Sequence, residues 1–327
     1  MIVTLFGLFL LTLLVVTALA MIRADDLFSA VMLSGIFSLL MAANFFVLDA
    51  ADVALTEAAV GAGVATVLLL GALSLLPTRQ RKHNRHVLLT ITTMTVNAAL
   101  IIVATHDVPR LGDPAAPAQN HVAPWYLEKT PELIDIPNVV TAVLASFRGY
   151  DTLGEVFVIM IAGIGVLFVL SAGHDRLLPK RPAPTLETAL KHHLVPQVVG
   201  RLMIPFIVLF GLYTQFHGEY GPGGGFQAGA LIAAGLILYS LIEGERAALE
   251  LTPPNLMFAL AIGGALLYGA VGIATMLMGG TFLDYSVLLD DPVAGQHLGI
   301  IVIELGVGLA VTGVLLTIYH AFASRAS

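Results

Sequence analysis

Nine apolar stretches, most of them as long as a bilayer is thick, run through this chain and leave it few folds to choose from. A segment that crosses hydrocarbon has to satisfy its backbone N–H and C=O groups internally, so long apolar segments cross as helices. The stretches lie at 2–22, 27–48, 53–76, 87–105, 154–172, 202–216, 226–242, 256–278 and 296–320. Crossing takes roughly 20 residues. Segments 202–216 and 226–242 fall short of that, and the glycine-rich string between them either extends them or dips inward. The expectation is an all-α, polytopic integral membrane protein with nine transmembrane helices. Composition agrees: 57% of residues are apolar and 11% charged, against about 25% charged in soluble domains.

Several function classes drop out. There are no cysteines, which excludes disulfides, iron–sulfur thiolates and a cysteine nucleophile. The ten histidines fall in loops or at span ends, with no HExxH or similar ligand spacing. No nucleophile elbow is present. An enzyme acting alone is therefore unsupported, and no cofactor is implied. The net charge of −7 comes with no basic domain, so nucleic acid is not an expected partner. The first apolar run has no basic leader and is long enough to span, unlike a cleavable signal.

Lysine and arginine set the expected orientation. One set of loops holds Arg23, Arg79, Arg81, Lys82, Arg85, Arg176, Lys180, Arg181, Lys191, Arg201, Arg246 and Arg325, while the opposite set holds Arg110, Lys129 and Arg148. That bias puts the N-terminus outside and the C-terminus in the cytoplasm. The outer segment 106–151 is proline-rich, which argues against long helices in its first half. Trp125 and Tyr126 read as an interfacial anchor. Further on, apolar residues at 139, 140, 143, 144 and 147 share one helical face, with Asn138 as N-cap and Gly149 as stop. These predict a short amphipathic helix on or just inside the outer surface. The polar inner segment 179–200, with Pro179, Pro182 and Pro184, divides a five-span part (1–178) from a four-span part (201–327).

Three spans carry a lone glutamate. An ionisable group inside hydrocarbon is costly and usually faces protein or a water-filled path; a carboxyl group there can hold a proton or a cation. Glu57 lies beside a small-residue face of Ala54, Ala58, Gly61, Ala62 and Ala65, the kind that packs on another helix. With Asp52 as helix cap, it sits about 7 Å inside. Glu155 is one turn into its helix, where acidic residues are favoured by the dipole alone. Arg148, Asp151 and Glu155 form a charged group in which Arg148 can pair with either acid or simply end a helix. Glu304, about 12 Å in from Gln296, is the deepest. Its neighbours Gly299, Gly306 and Gly308 allow close packing. Each glutamate also has a plainer reading as a residue that bonds a neighbouring helix or reaches water.

The string HGEYGPGGGFQAGA, from His217, is the most distinctive. Pro222 and the run Gly223, Gly224 and Gly225 before Phe226 cannot be ordinary helix. It lacks the Gly-Lys-Ser/Thr ending of a phosphate loop. It is either a tight turn between two packed helices or a re-entrant element lining a cavity.

At these motifs the chain resembles the Mrp-type multisubunit Na+/H+ antiporters over nearly its whole length. The segment ADDLFSAVMLSGIFSLLMAANFFVLDAADVALTEAAVGAG is similar to a module shared by the C-terminal part of the large A-type subunit and by small subunits of membrane-bound hydrogenases (their D and E components). NVVTAVLASFRGYDTLGEV resembles the end of that same A-type subunit. From about Leu186 onward, PGGGF and the run Ile303-Glu304-Leu305-Gly306-Val307 resemble the B-type subunit. The resemblance implies a fusion of the two. It places Glu155, and less directly Glu57 and Glu304, on an ion path. No span contains a lysine, so the lysine-bearing bundle of the full A-type subunit is missing. Partners are then implied: antiporter-like large subunits and small membrane subunits, with Na+ and H+ as transported ions in a prokaryotic cell membrane. Two other readings stay open. One is a membrane-arm subunit of a redox-driven pump, and the other is an ion-inert scaffold.

Overall fold

A computed structural model describes residues 2–80, 86–110, 112–172 and 194–326. Among them, nine helices are long and apolar enough to cross a membrane. They are α1 (Ile2–Arg23), α2 (Leu27–Val47), α3 (Ala51–Leu73), α4 (Val87–His106), α5 (Gly149–Ala172), α6 (Leu194–His217), α7 (Gly225–Glu243), α8 (Pro254–Leu277) and α9 (Pro292–Ala326). No strand occurs among the described residues, where Asp26 and Arg79 form an isolated backbone bridge. All nine expected spans are present. The residues Arg81, Lys82, Arg85, Arg176, Lys180, Arg181, Lys191 and the prolines 179, 182 and 184 lie outside the described residues, as does most of segment 179–200.

The bounds differ where polar residues continue a helix. α6 has 24 residues and α7 has 19, so neither is short. The two helices are tied by Arg201, whose Nε lies 2.5 Å from Glu243 Oε1. α5 starts at Gly149, so Gly149 opens a span instead of stopping the helix before it; Arg148 ends that helix. α3 is capped by Ala50, not Asp52. Asp52 instead accepts a hydrogen bond from Asn138 Nδ2 at 3.3 Å.

Segment 106–151 departs from its apolar pattern. Asn138 does cap the short helix, accepting from the N–H groups of Val140 and Thr141. The face that this helix buries in the chain, however, is Thr141, Ala142 and Ala145, while Val140 and Leu144 stay 45% exposed. In a membrane protein small residues allow close packing within the bundle, and large apolar ones can face lipid or another subunit. Upstream, a 12-residue helix (Val122–Leu133) forms despite its prolines. Pro124 sits in the first turn, where no N–H is needed, and Pro131 in the last. Trp125, Tyr126 and Phe147 cluster with centroids 5.2–5.3 Å apart, joining the two short helices.

The core lies where α7 and α8 flank α9. Small residues set the contact. A Cβ on Gly229 would lie 2.6 Å from the carbonyl oxygen of Gly308, and one on Gly313 would lie 2.5 Å from Ala261 N. Thr312 Oγ1 adds a bond to the Gly229 carbonyl at 3.2 Å. The phenols of Tyr268 and Tyr285 are fully buried beside it.

Candidate ion-path site

Glu304 sits on α9 where that helix meets the first residue of α7, and its carboxylate accepts a hydrogen bond from the Gly225 N–H. An unpaired N–H at a helix start carries partial positive charge, so the carboxylate is favoured there. The glycine string makes the approach possible. Gly224 has φ +118°, which L side chains rarely adopt, and a Cβ there would lie 2.9 Å from Glu304 Oε2. A Cβ on Gly225 would collide with the Glu304 carbonyl oxygen. The string is thus a tight turn between α6 and α7. It folds back on α6 through Gly224 N to Thr214 O (3.0 Å) and Gly221 N to His217 O (3.0 Å). Phe226 packs on the core, and Pro222 is partly buried.

Depth along α9 is a poor guide to depth in the bilayer. Glu304 lies twelve residues after Pro292, about 18 Å. But α9 is 35 residues long, roughly 50 Å, so part of it projects beyond a hydrocarbon core of about 30 Å. Glu304 is level with the Gly225 end of α7.

Glu57 lies across the seam. It opens a π-helical stretch (Glu57–Ala65) within α3. A methyl on Gly61 would lie 2.5 Å from Glu57 Oε1 and 2.8 Å from Ser38 Oγ of α2, so the carboxylate uses the space that glycine leaves. Its neighbour Thr56 accepts a hydrogen bond from Gln227 Nε2 at 2.8 Å. Gln227 Oε1 in turn lies near Gly224, 3.6 Å from where a Cβ would be, on the side that Glu304 occupies. One amide side chain therefore bridges the surroundings of two glutamates far apart in sequence, one from each part of the chain.

Glu155 joins from a third helix. It is the seventh residue of α5, nearly two turns in, and it is exposed at the surface of this chain. It is an electrostatic neighbour of Glu304. Tyr268 Oη donates to Gly149 O (2.7 Å) and Tyr285 Oη to Ala145 O (3.0 Å). Arg148 chooses Asp151 over Glu155: Nε and Nη2 lie 2.6 and 2.5 Å from Asp151 Oδ2. That pair is exposed, and Asp151 is an electrostatic neighbour of Glu155.

Above the turn sits a residue read from sequence only as a cap. Asn138 is buried, and its Nδ2 donates to Gly218 O (3.0 Å), Gly221 O (2.9 Å) and Asp52 Oδ1. Asn138→Ala leaves the Gly221 carbonyl without its side-chain donor, a loss of about 1–3 kcal/mol. Amides 220, 221 and 223–225 are expected to exchange hydrogen faster in this variant. Nearby, His297 Nδ1 lies 3.2 Å from Glu219. His297 thus lies inside a helix, because α9 begins earlier than its apolar run. No group of three metal-ligating side chains occurs among the described residues.

Three family models match the chain. One, described as the D component of MBH, covers residues 12–78, and one described as the E component of MBH covers 85–183. A third, described as a domain related to the MnhB subunit of Na+/H+ antiporter, covers 195–317. A protein of Staphylococcus aureus (strain Newman), named as a putative mnhB2 antiporter subunit, is 32% identical over 131 residues, which are 39% of this chain and 92% of that protein. The chain belongs to the Mrp/Mnh antiporter subunit family. Another member, named as a probable K(+)/H(+) antiporter A/B subunit in Rhizobium meliloti (strain 1021), is 27% identical over 91% of this chain. The structure of the Mrp complex from Dietzia sp. DQ12-45-1b superposes with a TM-score of 0.76 and 28% identity, over 96% of this chain. This chain spans 32% of the Rhizobium protein and 34% of the matched Dietzia chain. In this Mrp/Mnh subunit the polar seam joins the MBH-matched and MnhB-matched segments. The residues that build it beyond the glutamates, namely Gln227, Asn138, Tyr268 and Tyr285, have no periodic signal that would have marked them.

Proposed function

We propose that this chain is a membrane subunit of a multisubunit cation/proton antiporter, carrying Na+ or K+ against H+. In this reading Glu57, Glu155 and Glu304 are proton or ion stations. Residues 1–178 and 201–327 act as A-like and B-like modules joined by the segment 179–200, in a prokaryotic cell membrane with the N-terminus outside. The observation that carries the proposal is Gln227 of α7, whose amide bonds Thr56 beside Glu57 at the end of α7 where the Gly225 N–H holds the Glu304 carboxylate. Exchange itself is not complete in one chain. Glu155 faces outward from this subunit, and no span holds a lysine. Partner subunits, large antiporter-like ones and small membrane ones, supply the rest, and the chain is a transporter part and not an enzyme. Gln227 holds the seam between Glu57 and Glu304 in register, a positioning role.

The test is ΔpH-linked exchange in vesicles carrying the assembled complex, with Na+ and K+ measured separately. Glu155→Gln is expected to lower exchange at least about tenfold, equivalent to about 1.4 kcal/mol on the barrier. If Glu57→Ala, Glu155→Ala and Glu304→Ala each assemble and keep wild-type exchange, the carboxylates are inert and the scaffold reading stands. The MBH matches over 12–78 and 85–183 favour a second reading, a redox-driven pump. Its sign would be iron–sulfur subunits copurifying with the chain.

A further inference from the structure

α4 differs from every other span. Each of its residues, Val87 to His106, is exposed, including Ile101 and Ile102 at 63% and 68%. The other described residues therefore do not cover this helix, and in a membrane lipid or protein must. Its polar residues separate those two coverings. Asn97 is the eleventh of the helix's twenty residues, about 15 Å from its start, at the midplane of a core roughly 30 Å thick. Its amide Nδ2 bonds the Thr93 carbonyl of its own helix at 2.9 Å. The Oδ1 acceptor has no hydrogen bond among the described residues. Thr90 and Thr93 lie seven and four residues before Asn97, on the same helical face. Their hydroxyls donate back to His86 O (3.1 Å) and Leu89 O (2.8 Å), which leaves lone pairs free to accept. A row of acceptors that ends with Asn97 at mid-bilayer is poorly matched to lipid chains, which offer no donor. It is well matched to a helix that does, because polar side chains bond across helices in membranes.

We propose that the Thr90–Thr93–Asn97 face of α4 is a docking surface for a transmembrane helix of another subunit, one that presents a hydrogen-bond donor at mid-bilayer. The proposal rests on the reading of this chain as part of a multisubunit membrane complex, and it adds where one contact is made. The opposite face, with Thr92, Thr95, Ala99 and Ile102, carries hydroxyls but no amide, and is turned to lipid or to a looser neighbour.

The experiment uses the full complex in membranes, with a photo-crosslinking amino acid placed singly at Thr93, Asn97, Ala99 or Ile102. Expected are crosslinks from positions 93 and 97 to another polypeptide, and at least about threefold less from 99 and 102. Asn97→Leu keeps the helix apolar and is expected to lower recovery of the crosslinked partner roughly threefold, the size of one interhelical bond. Asn97→Gln, which keeps the acceptor, should restore most of it. Crosslinks from 93 and 97 to lipid alone, equal yields from all four positions, or full recovery with Asn97→Leu would overturn the docking face. The identity of the captured chain reports separately on the antiporter reading. An iron–sulfur oxidoreductase subunit would contradict that reading and leave the docking face standing.

Discussion

Glu304→Gln is expected to cut ΔpH-driven cation exchange by the assembled complex about 100-fold, the low end of what a positioned proton-transfer group contributes. The complex itself should survive. Glutamine is close in shape to glutamate, and its Oε1 can still accept from the Gly225 N–H that the carboxylate now takes. What it loses is the capacity to take up and release a proton. Glu304→Ala is a worse probe, because it removes the acceptor as well. The buried Gly225 N–H would then stand unpaired at about 1–3 kcal/mol, and loss of exchange could follow from loss of structure. The pair of variants separates the two roles: glutamine reports on charge and proton, alanine on charge and scaffold together. Subunit recovery on a native gel should be unchanged for Glu304→Gln.

Gly225→Val is expected to destabilise the chain by about 3 kcal/mol, the upper part of the range for overpacking. The added Cβ would run into the carbonyl oxygen of Glu304 and come within 2.9 Å of Gly308 N, both of them backbone atoms in the middle of α9. A flexible side chain could swing aside, but a helix backbone cannot, so α7 must move off α9. That motion also breaks the bond from Gly225 N to Glu304, and exchange and stability should fall together. Thermal unfolding of the purified complex, followed by loss of this subunit, checks the first. Gly263→Val and Gly269→Val are the controls. Both glycines lie in α8, and a Cβ there meets nothing within 4 Å, so each should shift Tm little.

How far the fold could be read from sequence depends on which side of a helix mattered. Apolar length marked all nine spans, because hydrocarbon thickness selects for it. It did not mark their ends. Arg201, the eighth residue of α6, pairs with Glu243 at the end of α7, and both helices run on past their apolar stretches. Periodicity misled for the helix after Asn138, because large apolar side chains there face away from the chain while Thr141, Ala142 and Ala145 face in. The site was legible in its charges and illegible in its connections. Lone glutamates stand out against an apolar background, so Glu57, Glu155 and Glu304 could be picked without coordinates. That Gln227 reaches from α7 to Thr56 of α3 follows from how α3 packs on α7, a long-range contact with no local pattern. The π-helical stretch at Glu57 is similar. Gly61 and Gly63 permit it, but nothing in their spacing requires it.

If Glu57 and Glu304 work in series across one seam, a double-substitution cycle reveals it. Exchange would be measured in vesicles for Glu57→Gln, Glu304→Gln and the two combined, each normalised to assembled complex. Stations on one path act as a unit, and residues that act as a unit are strongly non-additive. The double variant is expected to fall no more than about twofold below the more impaired single one. Losses that multiply, so that two tenfold defects become a hundredfold, would place the two glutamates on separate paths and contradict a series arrangement.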